Sequence, residues 1–278
     1  MPLNILTFGA SRNIGYFTSL RLLDAGATVN YLLRSTVVFD NDETIQKYIK
    51  AGKVRLIKGD ALVIDDVRRA WEEASKDAPV DYLLFSVGGT VQFSFSRGFY
   101  MDPVNLVTQS LLNVLSTIPS GASPRLVIVS STGLTAASHR ALPFALKPMY
   151  SKMLAAPHKD KVGAERLISH LAGWSWDFEG DGEPGEDIMG PGDWKAREGL
   201  PAPGTLKNIL IVRPALLSDG ECQADKLKQK GKDKEPYRVS EQEIKAYTVS
   251  RKDVAHFIAE TVLNKWDEYQ DKIINIGY

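Results

Sequence analysis

The sequence predicts a doubly wound α/β fold, a parallel sheet with helices on both faces. Three observations carry that expectation. Apolar runs of strand length alternate with helix-patterned segments along the chain. Connections of that length join parallel neighbours by right-handed crossovers. The residues that follow the apolar runs, at 9–12, 34–35, 60–61, 86–89 and 130–132, are small, polar or basic, as expected of strand ends that open on one ligand groove.

Residues 3–34 set the frame. Leu3-Asn4-Ile5-Leu6-Thr7-Phe8 is an apolar run short enough for a buried strand. The turn Gly9-Ala10-Ser11-Arg12-Asn13-Ile14-Gly15 follows, then a helix pattern with Ile14, Phe17, Leu20 and Leu23 on one side and Gly26 just past its end. A second apolar run at 29–33 ends on Arg34. Strand, glycine turn, helix and strand place a dinucleotide pyrophosphate on a helix N-terminus, the Rossmann arrangement. Gly9 permits the sharp turn and Gly15 a close backbone approach. The whole turn, Gly9 to Gly15 with Ala10, Ser11, Arg12, Asn13 and Ile14, is the expected cofactor cradle. An acid about 20 residues past the glycines would hold a ribose 2′-hydroxyl. The chain has Arg34-Ser35 there and no acid until Asp40. A carboxylate would repel a 2′-phosphate, whereas a guanidinium grips it with paired hydrogen bonds. Arg34 and Arg12 therefore point to NADP(H). The alternative makes both arginines solvated surface charges.

The next elements are expected as a helix at 44–49 ended by Gly52 and a third strand at 54–57. Asp60, followed by Ala61, either accepts a hydrogen bond from the adenine amino group or caps the helix that runs through Val67 and Trp71. A fourth strand at 80–85 leads to Ser86-Val87-Gly88-Gly89, whose small residues let backbone approach a cofactor, with Val87 and Gly88 in contact. A helix over about 102–118 starts near Pro103, and Leu126-Val127-Ile128-Val129 is the buried fifth strand. Residues 139–157 read as irregular, broken by Pro143, Pro148 and Pro157, before a helix over about 158–171. The glycine-rich segment 173–203, with four prolines and three tryptophans, has no period. It reads either as a mobile surface insertion or as a lid, since tryptophans are costly to leave in water. The sheet resumes at 208–217, a lysine-rich loop occupies 223–236, and a short strand falls at 246–249. Ser250 caps a last helix at 251–264, and a strand at 272–276 closes the chain. No repeat or boundary divides it, so one domain is expected over 1–278, with substrate-site elements at about 131–203 and 214–250.

Composition narrows the function. Thirty-four basic and thirty-four acidic side chains cancel, which disfavours nucleic acid or an anionic membrane as partner. A lone Cys222 excludes an internal disulfide and a cysteine metal cluster, and the four histidines lack ligand spacing, so no metal is expected. No apolar run approaches the ~18 residues a membrane span needs, and the first strand leaves no room for a signal peptide. A cytoplasmic protein with a small-molecule substrate is expected, monomer or homodimer.

Over nearly its whole length the chain resembles the short-chain dehydrogenase/reductase superfamily. Its turn looks like that superfamily's G-A-S-R-G-I-G, with Asn13 replacing a glycine. Arg213-Pro214 after a late strand, and Val249-Ser250-Arg251-Lys252-Asp253-Val254-Ala255, look like the atypical branch, and within it the NmrA-like proteins and the flavin and biliverdin-IXβ reductases. The resemblance implies an NADP(H)-dependent reductase, with Ser130 and Pro214 beside the cofactor. Ser131 matches the superfamily's catalytic serine, and Lys161, with Glu165 one turn on, matches the lysine that holds the nicotinamide ribose. Four residues before it, where the reductases carry a proton-donating tyrosine, stands Pro157. Tyr150 and His158 are the remaining candidate donors. Each of these has a structural alternative: Ser131 bonded to backbone, Lys161 solvated, Tyr150 packed, His158 opening a helix. The same branch holds NADP(H)-sensing regulators, and redox-neutral isomerases or cyclases, as alternative functions.

Overall fold

The computed structural model describes residues 2–96 and 98–278, with the side chains of residues 151 and 152 outside the description. The strand β1 (Asn4–Phe8) is buried along its whole length, as a near-continuous apolar run requires when both sheet faces are covered. Helix α1 (Asn13–Asp24) returns the chain to β2 (Thr28–Leu33). Gly26 ends it at φ +93°, and the Ala27 N–H closes back on the Leu22 carbonyl at 3.0 Å. The buried face of α1 is Ile14, Gly15, Thr18, Ser19, Leu22 and Leu23, whereas Phe17 and Leu20 are half-exposed. Small residues hold that stripe because another helix, described below, packs closely along it.

Helix α2 (Glu43–Lys50) is capped by Asp42, whose carboxylate accepts from the Ile45 N–H at 3.0 Å. The strand β3 (Val54–Lys58) and helix α3 (Ile64–Ala74) follow. Asp60 does not cap α3, which starts at Ile64. Its carboxylate accepts from the Leu62 N–H at 2.9 Å, in the turn before the helix. After β4 (Tyr82–Phe85) the chain forms a hairpin the sequence did not reveal, β5 (Gln92–Ser94) and β6 (Gly98–Tyr100). Helix α4 (Leu106–Ser116) begins four residues later than expected, because its first amides are captured by a distant carboxylate: the Val107 and Thr108 N–H groups donate to Asp160 at 2.7 and 2.8 Å.

β7 (Arg125–Val129) occupies the expected place. Residues 139–157 are not irregular: α5 (Ala136–Ala141), α6 (Lys147–Lys152) and α7 (Ala155–Ala172) run through them. Pro148 and Pro157 stand in first turns, where a missing N–H costs nothing. The segment after Gly173 holds α8 (Glu186–Met189) and is folded onto α7. The Arg166 guanidinium lies 5.8, 5.1 and 5.6 Å from the ring centres of Trp176, Phe178 and Trp194, and its Nε donates to Glu183 at 2.7 Å. That cage, with Ile188 and Met189 buried, corrects the mobile-insertion reading.

The chain continues through β8 (Ile209–Pro214) and β9 (Leu216–Ser218). Where a solvated loop was expected stands α9 (Gln223–Gln229), started by the Asp253 carboxylate, which accepts from the Gln223 and Ala224 amides at 3.0 and 3.1 Å. β10 (Arg238–Ser240), unmarked in the sequence, precedes β11 (Thr248–Ser250). Helix α10 (Arg251–Asn264) is capped by Ser250 as expected, and α11 (Trp266–Tyr269) and β12 (Lys272–Gly277) complete the chain.

One sheet runs in the order β10-β12-β8-β7-β4-β1-β2-β3, parallel throughout except for β10, which pairs antiparallel with β12. One face is covered by α1 and α10 through residues such as Leu22 and Phe257, the other by α3, α4 and α7 through Trp71, Leu111 and Leu167. The order turns back at β1, so the crevice above the β1 and β4 carboxyl ends is the place for a ligand. Among the described residues no helix is long and apolar enough to cross a membrane.

Candidate functional site

A cleft of about 540 Å³ opens at that turning point. Its base is the turn after β1. Gly9 sits at φ +78°, and a Cβ there would lie 2.6 Å from the Val87 nitrogen, so the turns after β1 and β4 cross in backbone contact. A Cβ on Gly15 would lie 2.3 Å from the Ser86 Oγ and 2.7 Å from the Ala10 Cα. Asn13, where the superfamily motif has glycine, adopts φ +58°, a conformation asparagine tolerates better than other side chains. No side chain caps the start of α1, so its first N–H groups are left to the cleft. Glycine contact and open amides make a cradle that fits a dinucleotide pyrophosphate.

The cleft is basic. Arg12, Arg34, Lys161 and Arg251 line it, and Asp60 is the one acid among the described residues that do. Arg12 donates to the Thr90 hydroxyl at 3.3 Å. Arg34 is exposed at the end of β2 and has no ion pair among the described residues.

Of the residues expected at the cofactor, the cleft gathers Gly9, Ser11, Arg12, Asn13, Ile14, Gly15, Arg34, Asp60, Ala61, Val87, Gly88, Ser130 and Lys161. Three lie elsewhere. Ala10 is buried in the turn, and Ser35, exposed just past β2, does not line the cleft. Pro214 is buried in the sheet, where its carbonyl accepts from the Thr132 amide at 3.0 Å and hydroxyl at 3.3 Å. No residue of 173–203 lines the cleft. Sequence reasoning missed Leu217 and Arg251; the signal for Arg251 was its place right after the helix-capping Ser250.

The catalytic candidates divide. Lys161 lines the cleft, and its ammonium donates to the Ser130 and Val129 carbonyls at 2.8 and 3.3 Å. Burial pushes its pKa down to about 8 against the pull of Glu165 and Asp160, so it is largely charged at neutral pH. Pro157 lines the cleft one turn earlier. Ser131, Tyr150 and His158 do not line it; they form a cluster with one another. The Ser131 hydroxyl donates to the Thr132 carbonyl at 3.1 Å and lies 3.5 Å from His158 Nε2, while the Tyr150 ring meets the His158 ring edge-on at 5.2 Å. Burial, then the neighbouring Lys161 and His139, press the His158 pKa down to about 3, and burial pushes the Tyr150 phenol up. At neutral pH His158 is thus a packed, uncharged imidazole.

Behind Lys161 a buried chain of polar groups fixes the strand end. The Ser130 hydroxyl donates to Glu165, which takes two hydrogen bonds from Arg213, whose Nη1 reaches Glu243 at 3.2 Å. Burial opposes the Arg213 charge, but the two carboxylates outweigh it and raise its pKa. Glu243 also accepts from Ser138, and the Ser138 hydroxyl accepts from the Gly133 N–H at 2.7 Å. Arg213 therefore serves the architecture of the turn after β7, which presents Ser130 to the cleft.

No family model matches the chain. A curated protein of Aspergillus terreus, described as reductase pytE, is 28% identical over 239 residues, which cover 82% of this chain and 79% of that one. Among solved structures, the anaerobillin reductase ChuY from Escherichia coli O157:H7 superposes with a TM-score of 0.57 at 17% identity, covering all of this chain and 97% of its own. A short-chain dehydrogenase/reductase from Serratia marcescens gives 0.58 at 18% identity over 99% and 96% of the two chains. A putative NAD-dependent epimerase/dehydratase from Bacillus halodurans gives 0.55 at 16% identity over 99% and 93%. In its glycine turn, its sheet order and its likeness to a curated reductase, the chain is similar to the atypical short-chain dehydrogenase/reductases, whose fold it shares.

Proposed function

We propose that this chain is an oxidoreductase that uses NADPH to reduce a small conjugated or carbonyl-bearing molecule by hydride transfer. The oxidoreductase part is supported by relatives named reductases and dehydrogenases. NADPH is supported by one observation above all: at the end of β2, where an NAD enzyme carries an acid, stands Arg34, with no ion pair among the described residues.

In this reading the amides of the Gly9–Gly15 turn hold the pyrophosphate and Arg34, with Arg12, holds the 2′-phosphate. Asp60 and Ala61 border the adenine. The Lys161 ammonium, already fixed by two carbonyls, has a further N–H for a ribose hydroxyl. The bound nicotinamide supplies the hydride, and orientation is the main service the protein renders. Pro157 has no proton to give, so the proton comes from water or from the substrate, which suits flavin or quinone acceptors.

Titration of the purified protein with NADPH and NADH tests this. NADPH is expected to bind much the tighter, and Arg34→Asp to weaken it on the order of 100-fold while leaving NADH nearly unchanged. Equal losses would remove Arg34 from the 2′-phosphate site, and binding of neither nucleotide would end the reading. Pro157 also favours a second reading, an NADP(H)-sensing regulator. Tight NADPH binding with no turnover of any flavin, quinone, enone or ketone would select it.

A further inference from the structure

Arg251 is the cleft-lining cation with no part in the reading above. We propose that it is a ligand of the cofactor's pyrophosphate, held by Asp219 until the cofactor arrives. The assignment rests on the dinucleotide reading of the cleft.

Its backbone is locked. Arg251 is the first residue of α10, directly after Ser250, whose hydroxyl accepts from the Asp253 N–H at 2.9 Å. The Asp253 carboxylate is itself held by the Gln223 and Ala224 amides and the Cys222 thiol, so the start of α10 cannot drift. Alongside, α10 packs on α1, and Lys252 Nζ lies 5.7 Å from the Phe17 ring centre. Arg251 therefore enters the cleft from the helix that flanks α1, whose open amides form the pyrophosphate cradle.

The charge pattern points the same way. The partner of Arg251 is Asp219 at 2.7 Å, and that carboxylate side chain is 87% exposed against 23% for the arginine. An ion pair to a solvated acid is worth little. A pyrophosphate backed by a helix N-terminus offers paired oxygens in a drier setting, the geometry a guanidinium matches best. Exchange of Asp219 for the phosphates thus trades a weak partner for a strong one. The site also differs in kind from Arg34. A pyrophosphate is common to NADH and NADPH, so Arg251 should serve both.

Calorimetric titration of the unaltered chain, Arg251→Gln, Arg251→Lys and Asp219→Asn with NADPH, NADH and inorganic pyrophosphate tests this. Arg251→Gln is expected to weaken both nucleotides equally, by roughly 10- to 100-fold, with an unchanged melting temperature. Arg251→Lys should recover part of the loss, and Asp219→Asn should tighten both nucleotides a few-fold. Unchanged affinity in Arg251→Gln overturns the proposal. So does a loss confined to NADPH, which would move Arg251 to the 2′-phosphate. If the unaltered chain binds pyrophosphate through Arg251 but neither nucleotide, the dinucleotide reading fails while the anion site stands. If it binds none of the three, both fall.

Discussion

Asn13 carries the argument at the scale of one residue. At φ +58° an ordinary side chain meets the following carbonyl, at a cost of roughly 1–2 kcal/mol. Asparagine escapes much of that cost and glycine all of it, which explains why this turn departs from the superfamily motif without losing its shape. Asn13→Ala is therefore expected to lower unfolding stability by about 1 kcal/mol in urea denaturation, and Asn13→Gly to leave it level or raised. A stable Asn13→Ala would show that the turn relaxes to another conformation. Glycines and basic residues at strand ends are legible in a sequence because backbone sterics and charge are local properties. The direction of a side chain is not. Ser131 stands where the family carries its catalytic serine and His158 one residue past Pro157, yet the hydroxyl and the ring pack against Thr132, Tyr150 and each other rather than lining the cleft. Arg251 is the converse: its place in the cleft depends on α10 meeting α1 from the other end of the chain.

Among the elements, strands and long helices follow from hydrophobic period, and the short helices do not. The amides that open α4 and α9 are held by Asp160 and Asp253, carboxylates far along the chain, so no local cap marks those starts. The segment 173–203 lacks a period because its order comes from Arg166 and three rings rather than from a stripe facing a core. It also touches the cleft indirectly. Arg197 donates to the Asn113 side-chain amide oxygen, and Asn113 Nδ2 donates to the carbonyl of Ala61, which lines the cleft, at 2.8 Å. Loss of one such bond costs about 1 kcal/mol, roughly fivefold in affinity. Arg197→Ala is accordingly expected to weaken NADPH and NADH alike by about that factor. A fall in melting temperature with both affinities intact would confine the segment to a packing role.

Taken as a whole, the molecule buries ionisable groups of two kinds, and they respond differently to acid. Arg213 and Glu165 neutralise each other, and removing either partner would strand a buried charge. His158 has no such partner. It is buried uncharged, neighbours Lys161 and His139, and has its pKa pressed down to about 3. In the unfolded chain an imidazole titrates near ~6.5. Between those values the unfolded state binds a proton that the native state refuses, so the stability His158 contributes is full above ~6.5 and is lost as pH falls, by about 1.4 kcal/mol per pH unit. His170 and His256 are also pushed down by burial, so the slope of the native protein is not that of His158 alone. The difference between two chains isolates it. Urea unfolding of the native chain and of His158→Gln at several values between pH 4 and 7 should show a gap that shrinks by about 1.4 kcal/mol per unit as pH falls. A constant gap would mean that His158 accepts its proton in the folded state. The imidazole beside Ser131 would then be open to water, and a proton donor next to the cleft would return to consideration.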